Sequence, residues 1–402
     1  MRHIDFHNIY SKNKDIEFKW IGGTFCTTIP SLEQARQLLG TKCEKMRKLK
    51  SSVYYNSKEM FVRQKLMIGA HDRGEEFVWA DGTLCDKDKR VQDFHLPAHL
   101  KVMQYEKYII RKDEIFDVTS KHDFWEGVHF REELYVYIHI KKLYVEKGAR
   151  LSVRGNVLTL VCDEVILIDS ENEDNHKFDF QIKILGTDYF GYGKARSKEE
   201  EEMNGFDGKD GCVIEEEDLQ SYEYINTLFG RIKVKKKPFI EPDIQDPKYK
   251  GQNGENGKNG VNGGMSMLAD IRIGKLSNFS IQGFQVFAQA SAGKNGGDGG
   301  KGGDGVFPGN GGKGGNGGNG GLSSNIFVTS PQKYRKFMNF ISLESIGGKA
   351  GKGGESGKKS IEIQKFMQKT LDGTNGKDGR NRQAPPIYFF QSQRFKKYFD
   401  LI

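Results

Sequence analysis

The sequence predicts a mainly β protein. β-Solenoid-like strands are followed by an intramolecular bundle of glycine-triplet polyproline-II helices, and a mixed α+β region precedes both. Three observations carry this expectation. Glycine returns at every third residue in six separate segments. Of the 50 glycines, 34 lie between Gly251 and Gly379, a sharp shift in composition. Short apolar runs joined by tight corners crowd residues 130–186. Five regions follow: a mixed α+β region over 1–125, strands over 126–194, a charged insertion and linker over 195–250, the glycine-triplet bundle over 251–380, and an aromatic, basic cap over 381–402.

In the first region, Ser31 and Gln34 fit a helix capping box. Leu32, Ala35, Leu39, Cys43 and Met46 then recur at helical spacing, and Lys42, Lys45, Arg47, Lys48 and Lys50 form an opposite face expected to be solvated. Phe77–Leu84 reads as a hairpin turning at Asp81-Gly82. His95 and His99 have metal-like spacing, but Pro97 between them disfavours a helix that would align the rings.

Between 130 and 186 the strands are Leu134–Ile140, Leu143–Val145, Arg150–Val153, Val157–Val161, Val165–Ile168 and Phe178–Ile184. Their corners, Glu146–Ala149 and Arg154–Asn156, suit the coils of a parallel β-helix more than hairpins, with a two-sheet sandwich as the alternative. The insertion holds the acidic runs Lys198–Glu202 and Glu215–Asp218 and the basic run Arg231–Lys237. The basic run reads as an edge strand with a charged outward face.

The triplet glycines are 205/208/211, 251/254/257/260/263, 293/296/299/302/305, 309/312/315/318/321, 348/351/354/357 and 373/376/379. Polyproline II has three residues per turn, so these glycines line one edge and let another backbone approach. A five-glycine run of 13 residues spans roughly 40 Å at about 3.1 Å per residue. The 293–305 and 309–321 runs carry a second glycine phase, which places them inside the bundle, antiparallel across the reversal Val306–Gly309. The 251–263 and 373–379 runs have one bare edge and belong at the rim. What remains on the inner rods is two stripes, Asn295, Asp298, Lys301 and Asp304 on one and Asn310, Lys313, Asn316 and Asn319 on the other, which are the candidate binding residues. A collagen trimer needs longer, proline-rich runs, and a calcium β-roll needs Asp in another phase. Plain disorder does not explain a single phase held through five successive glycines.

The runs Gly293–Gly305 and Gly309–Gly321 resemble the polyproline-II sandwiches of phage long-tail-fibre tip adhesins and of the glycine-rich antifreeze proteins of snow fleas. The resemblance covers residues 250–380 and implies a bundle of packed rods. The adhesin likeness implies binding loops presented at rod ends. The antifreeze likeness implies a flat face of small apolar or Thr residues, whereas these stripes carry Lys, Asp and Asn.

No catalytic constellation stands out. The stretch Gly353–Ser360 departs from a P-loop, since Lys352 stands where the first glycine is required and Lys359 follows Lys358. The sequence therefore leans towards a non-catalytic structural or recognition module, with no cofactor. The alternatives are a polysaccharide-active β-helix enzyme, for which Asp163, Glu164, Asp179 and Asp188 are unranked acids, and a self-assembling fibre or matrix protein. Net charge is +8. A protein or an acidic glycan is the expected partner rather than nucleic acid, and a monomer is expected ahead of a trimer. Five widely spaced cysteines and an N-terminus without an apolar stretch point to the cytoplasm, with a virion or signal-less secretion as the other routes. No apolar run reaches the roughly 20 residues of a membrane span.

Overall fold

In the computed structural model, residues 2–11, 17–39, 44–55, 96–119, 134–168, 180–186, 205, 209–211, 213, 222–235, 249–278, 283–359 and 370–392 are described. The hairpin expected at Phe77–Leu84, His95, Asp179, Asp188 and the part of the expected cap from 393 onward lie outside them.

The architecture is mainly β. In chain order the strands are β1 (Arg2–His3), β2 (Tyr10–Ser11), β3 (Glu17–Phe18), β4 (Gly23–Ile29), β5 (Ala98–Ile110), β6 (Ile115–Asp117), β7 (Leu134–Glu146), β8 (Arg150–Arg154), β9 (Val157–Ile168), β10 (Phe180–Leu185), β11 (Tyr222–Thr227), β12 (Gly230–Lys235), β13 (Ala269–Ser277), β14 (Phe284–Gln289), β15 (Ile326–Ser330), β16 (Met338–Leu343) and β17 (Ile387–Gln391). Helices α1 (Phe6–Ile9), α2 (Leu32–Leu38) and α3 (Glu44–Tyr55) belong to the N-terminal region. Eight strands form one sheet in the order β1-β4-β5-β7-β9-β13-β15-β17, and five form a second in the order β16-β14-β10-β8-β6. Apart from β4 with β5, every pairing in these two sheets is parallel.

Parallel strands bury both faces, and the sequence supplies two cores for this. Between the sheets, Ile138, Leu160, Ile271 and Val328 meet Val153, Ile184 and Val286. On the other face of the large sheet, Tyr135, Phe327 and Phe390 meet Phe25, Ile29, Ala35 and Leu38 of the N-terminal region. The turns at Gly148 (φ 75°) and Gly155 (φ 64°) need left-handed backbone, which glycine adopts without steric cost.

The long strands change phase midway. Val136, Ile138 and Ile140 are buried in β7, then Leu143 and Val145. β9 does the same with Cys162 and Val165, and β7 and β9 are each one strand where two were expected. Register skips Lys141 against Asp163, with Ile140 beside Cys162 and Lys142 beside Glu164. Glu106 and Gly274 are skipped in β5 and β13 likewise. A row of four residues therefore stacks where each strand turns about the core.

Three sequence expectations need correction. The helical spacing over Leu32–Met46 is divided between α2 and α3 rather than one helix, although Ser31 does cap α2, its hydroxyl accepting the Gln34 amide at 3.4 Å. The basic run beginning at Arg231 is not an edge strand of a larger sheet. Among the described residues, β11 and β12 pair only with each other, as an antiparallel hairpin outside both large sheets. Tyr388–Phe390, assigned to a terminal cap, lie in β17 and extend the large sheet beside β15.

The glycine segments continue the register of the strands. β15 lies beside β13 with Ile326 opposite Ala269, a shift of 57 residues, and Asn310 meets Asn253 at the same shift. β17 lies beside β15 at a shift of 61 residues, shared by Leu371 and Asn310. In the small sheet, Met338 opposite Phe284 shows a shift of 54 residues, shared by Lys349 and Asn295. Two layers result. Segments 251–263, 309–321 and 371–380 run one way, and segments 293–305 and 346–358 run the other, with Gly205 and Gly211 donating to Asn295 and Lys301 at the side of the second layer. The adjoining segments 293–305 and 309–321 are antiparallel, Gly312 donating to Gly300 and Gly315 to Gly297.

Candidate functional site

The candidate stripes lie in these layers, and their chemistry follows from where each backbone N–H goes. A buried or packed N–H without a partner is costly, so the accounting has to close. In segment 309–321, Gly312, Gly315 and Gly318 donate across the layers to Gly300, Gly297 and Lys294, each at 2.8 Å. Gly314, Gly317 and Gly320 donate within the layer to Thr374, Lys377 and Arg380, each at 2.9 Å. The third amide of each triplet has a side-chain acceptor. Asn310, Lys313, Asn316 and Asn319 donate to the Oδ1 atoms of Asn253, Asn256, Asn259 and Asn262 at 2.7–2.8 Å.

The same rule operates one segment further on. Asn310, Asn316 and Asn319 each turn Oδ1 to the amides of Leu371, Lys377 and Arg380. In the other layer Asn295, Asp298 and Asp304 accept the amides of Lys349, Lys352 and Lys358, each at 2.7 Å. Six of the eight candidate residues thus use a side-chain oxygen to hold a neighbouring segment. Lys301 and Lys313 occupy the same position without an acceptor. Lys301 lies 3.7 Å from Asp304, a weak exposed pair.

The last segments of both layers close the pattern. Where inner segments carry Asn or Asp, the outermost ones carry Lys349, Lys352 and Lys358, and Lys377 and Arg380. The amides of Gly347, Ala350, Gly353 and Ser356 would serve a further neighbour in their layer. They donate instead to Asn381, Asp378, Asn375 and Asp372 at 2.7–2.9 Å. The Ser356 amide holds the Asp372 carboxyl below its ordinary value. This is edge protection, with cations and side-chain caps replacing an open ladder.

Of the four acids considered for an enzyme, Asp163 and Glu164 are described, and both lie in β9 of the large sheet. Asp163, in the stacked row, is 3.0 Å from Nε2 of His139, whose ring meets Trp20 edge-on at 5.2 Å. Glu106 in the same row pairs with Lys141 at 2.7 Å, and Lys141 also lies 4.6 Å from the centre of the Trp20 ring. Glu164 accepts from Ser277 at 2.5 Å and pairs with Lys275 at 2.7 Å. Burial opposes its ionisation, but Lys275 and Ser277 hold its carboxyl below the usual glutamate value. Each acid therefore faces a base or hydroxyl rather than a second acid.

Sequence reasoning missed one cluster. Lys50, expected on a solvated face, is 1% exposed and lies 2.8 Å from Asp270, itself 0% exposed. Arg272 joins Asp270 at 2.9 Å and donates to the Leu39 carbonyl at 3.1 Å. The Lys50 ammonium lies 5.7 Å from the centre of the Phe327 ring. Burial lowers Lys50 to about 8 against the attraction of Asp270. Burial works to raise Asp270, yet Arg272 and Lys50 together hold it below the ordinary aspartate value. The cluster pins α3 to β13. The sequence signal for it lies in residues Leu268–Ile273, where Asp270 and Arg272 interrupt an apolar run.

Among the described residues, no group of three or more His, Cys, Asp or Glu is arranged to hold a metal ion, and no helix is long and apolar enough to cross a membrane. Cys26 and Cys162 are buried and in no disulfide. Comparisons with protein-family models, with curated proteins and with solved structures each find no match to this chain.

Proposed function

We propose that this chain is a rigid, non-catalytic recognition or structural module. Its β-solenoid passes without a break into a bundle of polyproline-II rods. The observation that carries the reading is the shared register: strands and glycine segments advance together by 57 and 61 residues in one layer and by 54 in the other. Two strands, an outgoing rod and a returning rod then make one coil.

Triplet spacing supports the polyproline-II assignment, since three different N–H directions per triplet are what a threefold helix offers its neighbours. Because most stripe oxygens are bonded within the bundle, recognition falls to the rod ends, the outer edges and the insertion. An acidic glycan suits the outermost lysines. The pairing of Asp163 with His139 and of Glu164 with Lys275 favours binding over hydrolysis, which needs two acids flanking one bond.

The test is to incubate the purified protein with polygalacturonate and with heparin, following both retention and chain length. Retention with no shortening supports the reading, whereas release of oligosaccharides moves the chain to the enzyme class. Light scattering tests the packing separately: a mass of 45.5 kDa supports rods paired within one chain, and a trimer overturns it.

A further inference from the structure

The hairpin of β11 and β12 stands apart from everything the bundle explains. Among the described residues its strands pair with no others, and an isolated two-stranded hairpin is marginal in water. Every residue from Tyr222 to Val234 is exposed. Leu228 and Phe229 at its tip are 101% and 98% exposed, which is unusual for two large adjacent apolar side chains.

The two faces of the hairpin differ in chemistry. Register places Ile225 opposite Ile232 and Glu223 opposite Val234 on one face, next to the tip. The apolar patch therefore runs from Phe229 and Leu228 through Ile225 and Ile232 to Val234, and ends at Glu223. The other face pairs Tyr224 with Lys233 and Asn226 with Arg231. There Lys233 lies 4.0 Å from the centre of the Tyr222 ring and Arg231 lies 6.0 Å from that of Tyr224. The sequence continues with Lys235, Lys236 and Lys237.

We infer that this hairpin docks on an anionic lipid surface, with Leu228 and Phe229 entering the acyl boundary and Arg231 and Lys233 meeting lipid phosphates. The union of a fully exposed apolar tip with a cationic face argues for this occupant over an acidic protein. Leu228 and Phe229 come first at the tip, and Arg231 and Lys233 follow at alternate positions of β12 with Tyr224 opposite Lys233, over roughly 20 Å of hairpin at about 3.3 Å per residue. A bilayer interface offers both partners at once, hydrocarbon to the tip and, above it, phosphates to the cations and headgroups to the tyrosine rings. Long basic side chains reach sideways to phosphate while their stems stay beside apolar groups. The attachment is peripheral, and it stands independently of the glycan reading above.

Sedimentation of the full-length protein with vesicles tests this, using phosphatidylcholine alone and phosphatidylcholine with about 30% phosphatidylserine. Binding is expected only to the anionic vesicles and is expected to weaken with salt. The double variant Leu228→Ser, Phe229→Ser should lower partitioning by about tenfold or more. Arg231→Ser with Lys233→Ser should lower it by a similar factor and flatten the salt dependence. Phe229→Trp should retain binding and add an indole emission that shifts blue with anionic vesicles. An unchanged thermal transition in each variant shows that the two cores are intact. No binding to anionic vesicles, or binding that survives the tip variant, overturns the inference. So does a tip variant that converts a dimer to a monomer without lipid, which would make the tip a contact between copies.

Discussion

Between the two sheets, Ile271 and Val286 are wholly buried and surrounded by other aliphatic side chains. In the glycine layers the same chain, at the same register, is held by backbone hydrogen bonds and has almost no side chains to bury. The difference shows in what an added methyl group would meet. A Cβ on Gly315 would lie 2.0 Å from the Lys258 carbonyl oxygen, and one on Gly314 would lie 2.1 Å from that of Gly351. In the sheets, cohesion comes from volume filled. In the glycine layers it comes from volume left out, so that amides reach carbonyls at 2.8 Å. One topology can therefore be sustained by dispersion and the hydrophobic effect, or by polar pairing alone, provided every N–H is placed.

Substitutions can break this contrast, and the largest effect is expected where a side chain is added. Gly315→Ala must move a backbone rather than a side chain. It is expected to cost on the order of 3 kcal/mol or more, seen as a collapse of the denaturant midpoint. Asp270→Asn leaves Lys50 buried with its charge uncompensated and should cost about 3–5 kcal/mol by the same measurement. Ile271→Ala, a deletion in the sheet core, should cost about 2–5 kcal/mol. If Gly315→Ala costs less than about 1 kcal/mol, the contrast between the two regions is wrong. Asn316→Ala removes one acceptor from the exposed Lys377 amide and should cost about 1 kcal/mol, with hydrogen exchange accelerated at Lys377.

The smallest effect is one of pH. Lys50 sits at about 8 in the folded chain, below the value of about 10.4 for an unfolded lysine. Between these values the unfolded state still holds a proton that the folded state has released. Stability relative to a Lys50→Met variant should therefore rise with pH across that window and be flat below it. A fall with pH in paired chemical denaturations would mean that Lys50 is not buried as charge beside Asp270.

Much of the fold is legible in the sequence. The threefold glycine period, the second phase in 293–305 and 309–321 and the reversal at Pro308 are local signals, and those two segments do lie antiparallel side by side. Asn and Asp in the stripes read as display because a polar residue facing outward looks the same whether it meets water or the next backbone. Telling these apart requires the neighbour, which is 54–61 residues away in sequence. Lys50 escapes a sequence reading for a related reason, since its partner Asp270 is 220 residues distant. The hairpin at Tyr222–Lys235 carries an alternation that an edge strand would share, and only its pairing, confined to β11 and β12 among the described residues, sets it apart.

The sparse side chains of the glycine layers have a thermal consequence. Exposing apolar surface on unfolding raises heat capacity, while exposing peptide groups lowers it. The glycine layers should therefore add enthalpy to the unfolding transition with little heat capacity. Their contribution to stability should be nearly straight in temperature, where that of the sheets is domed. Hydrophobic cohesion fades on cooling, and peptide pairing has no corresponding loss. Near freezing, the glycine layers are the part of the molecule expected to hold its shape longest.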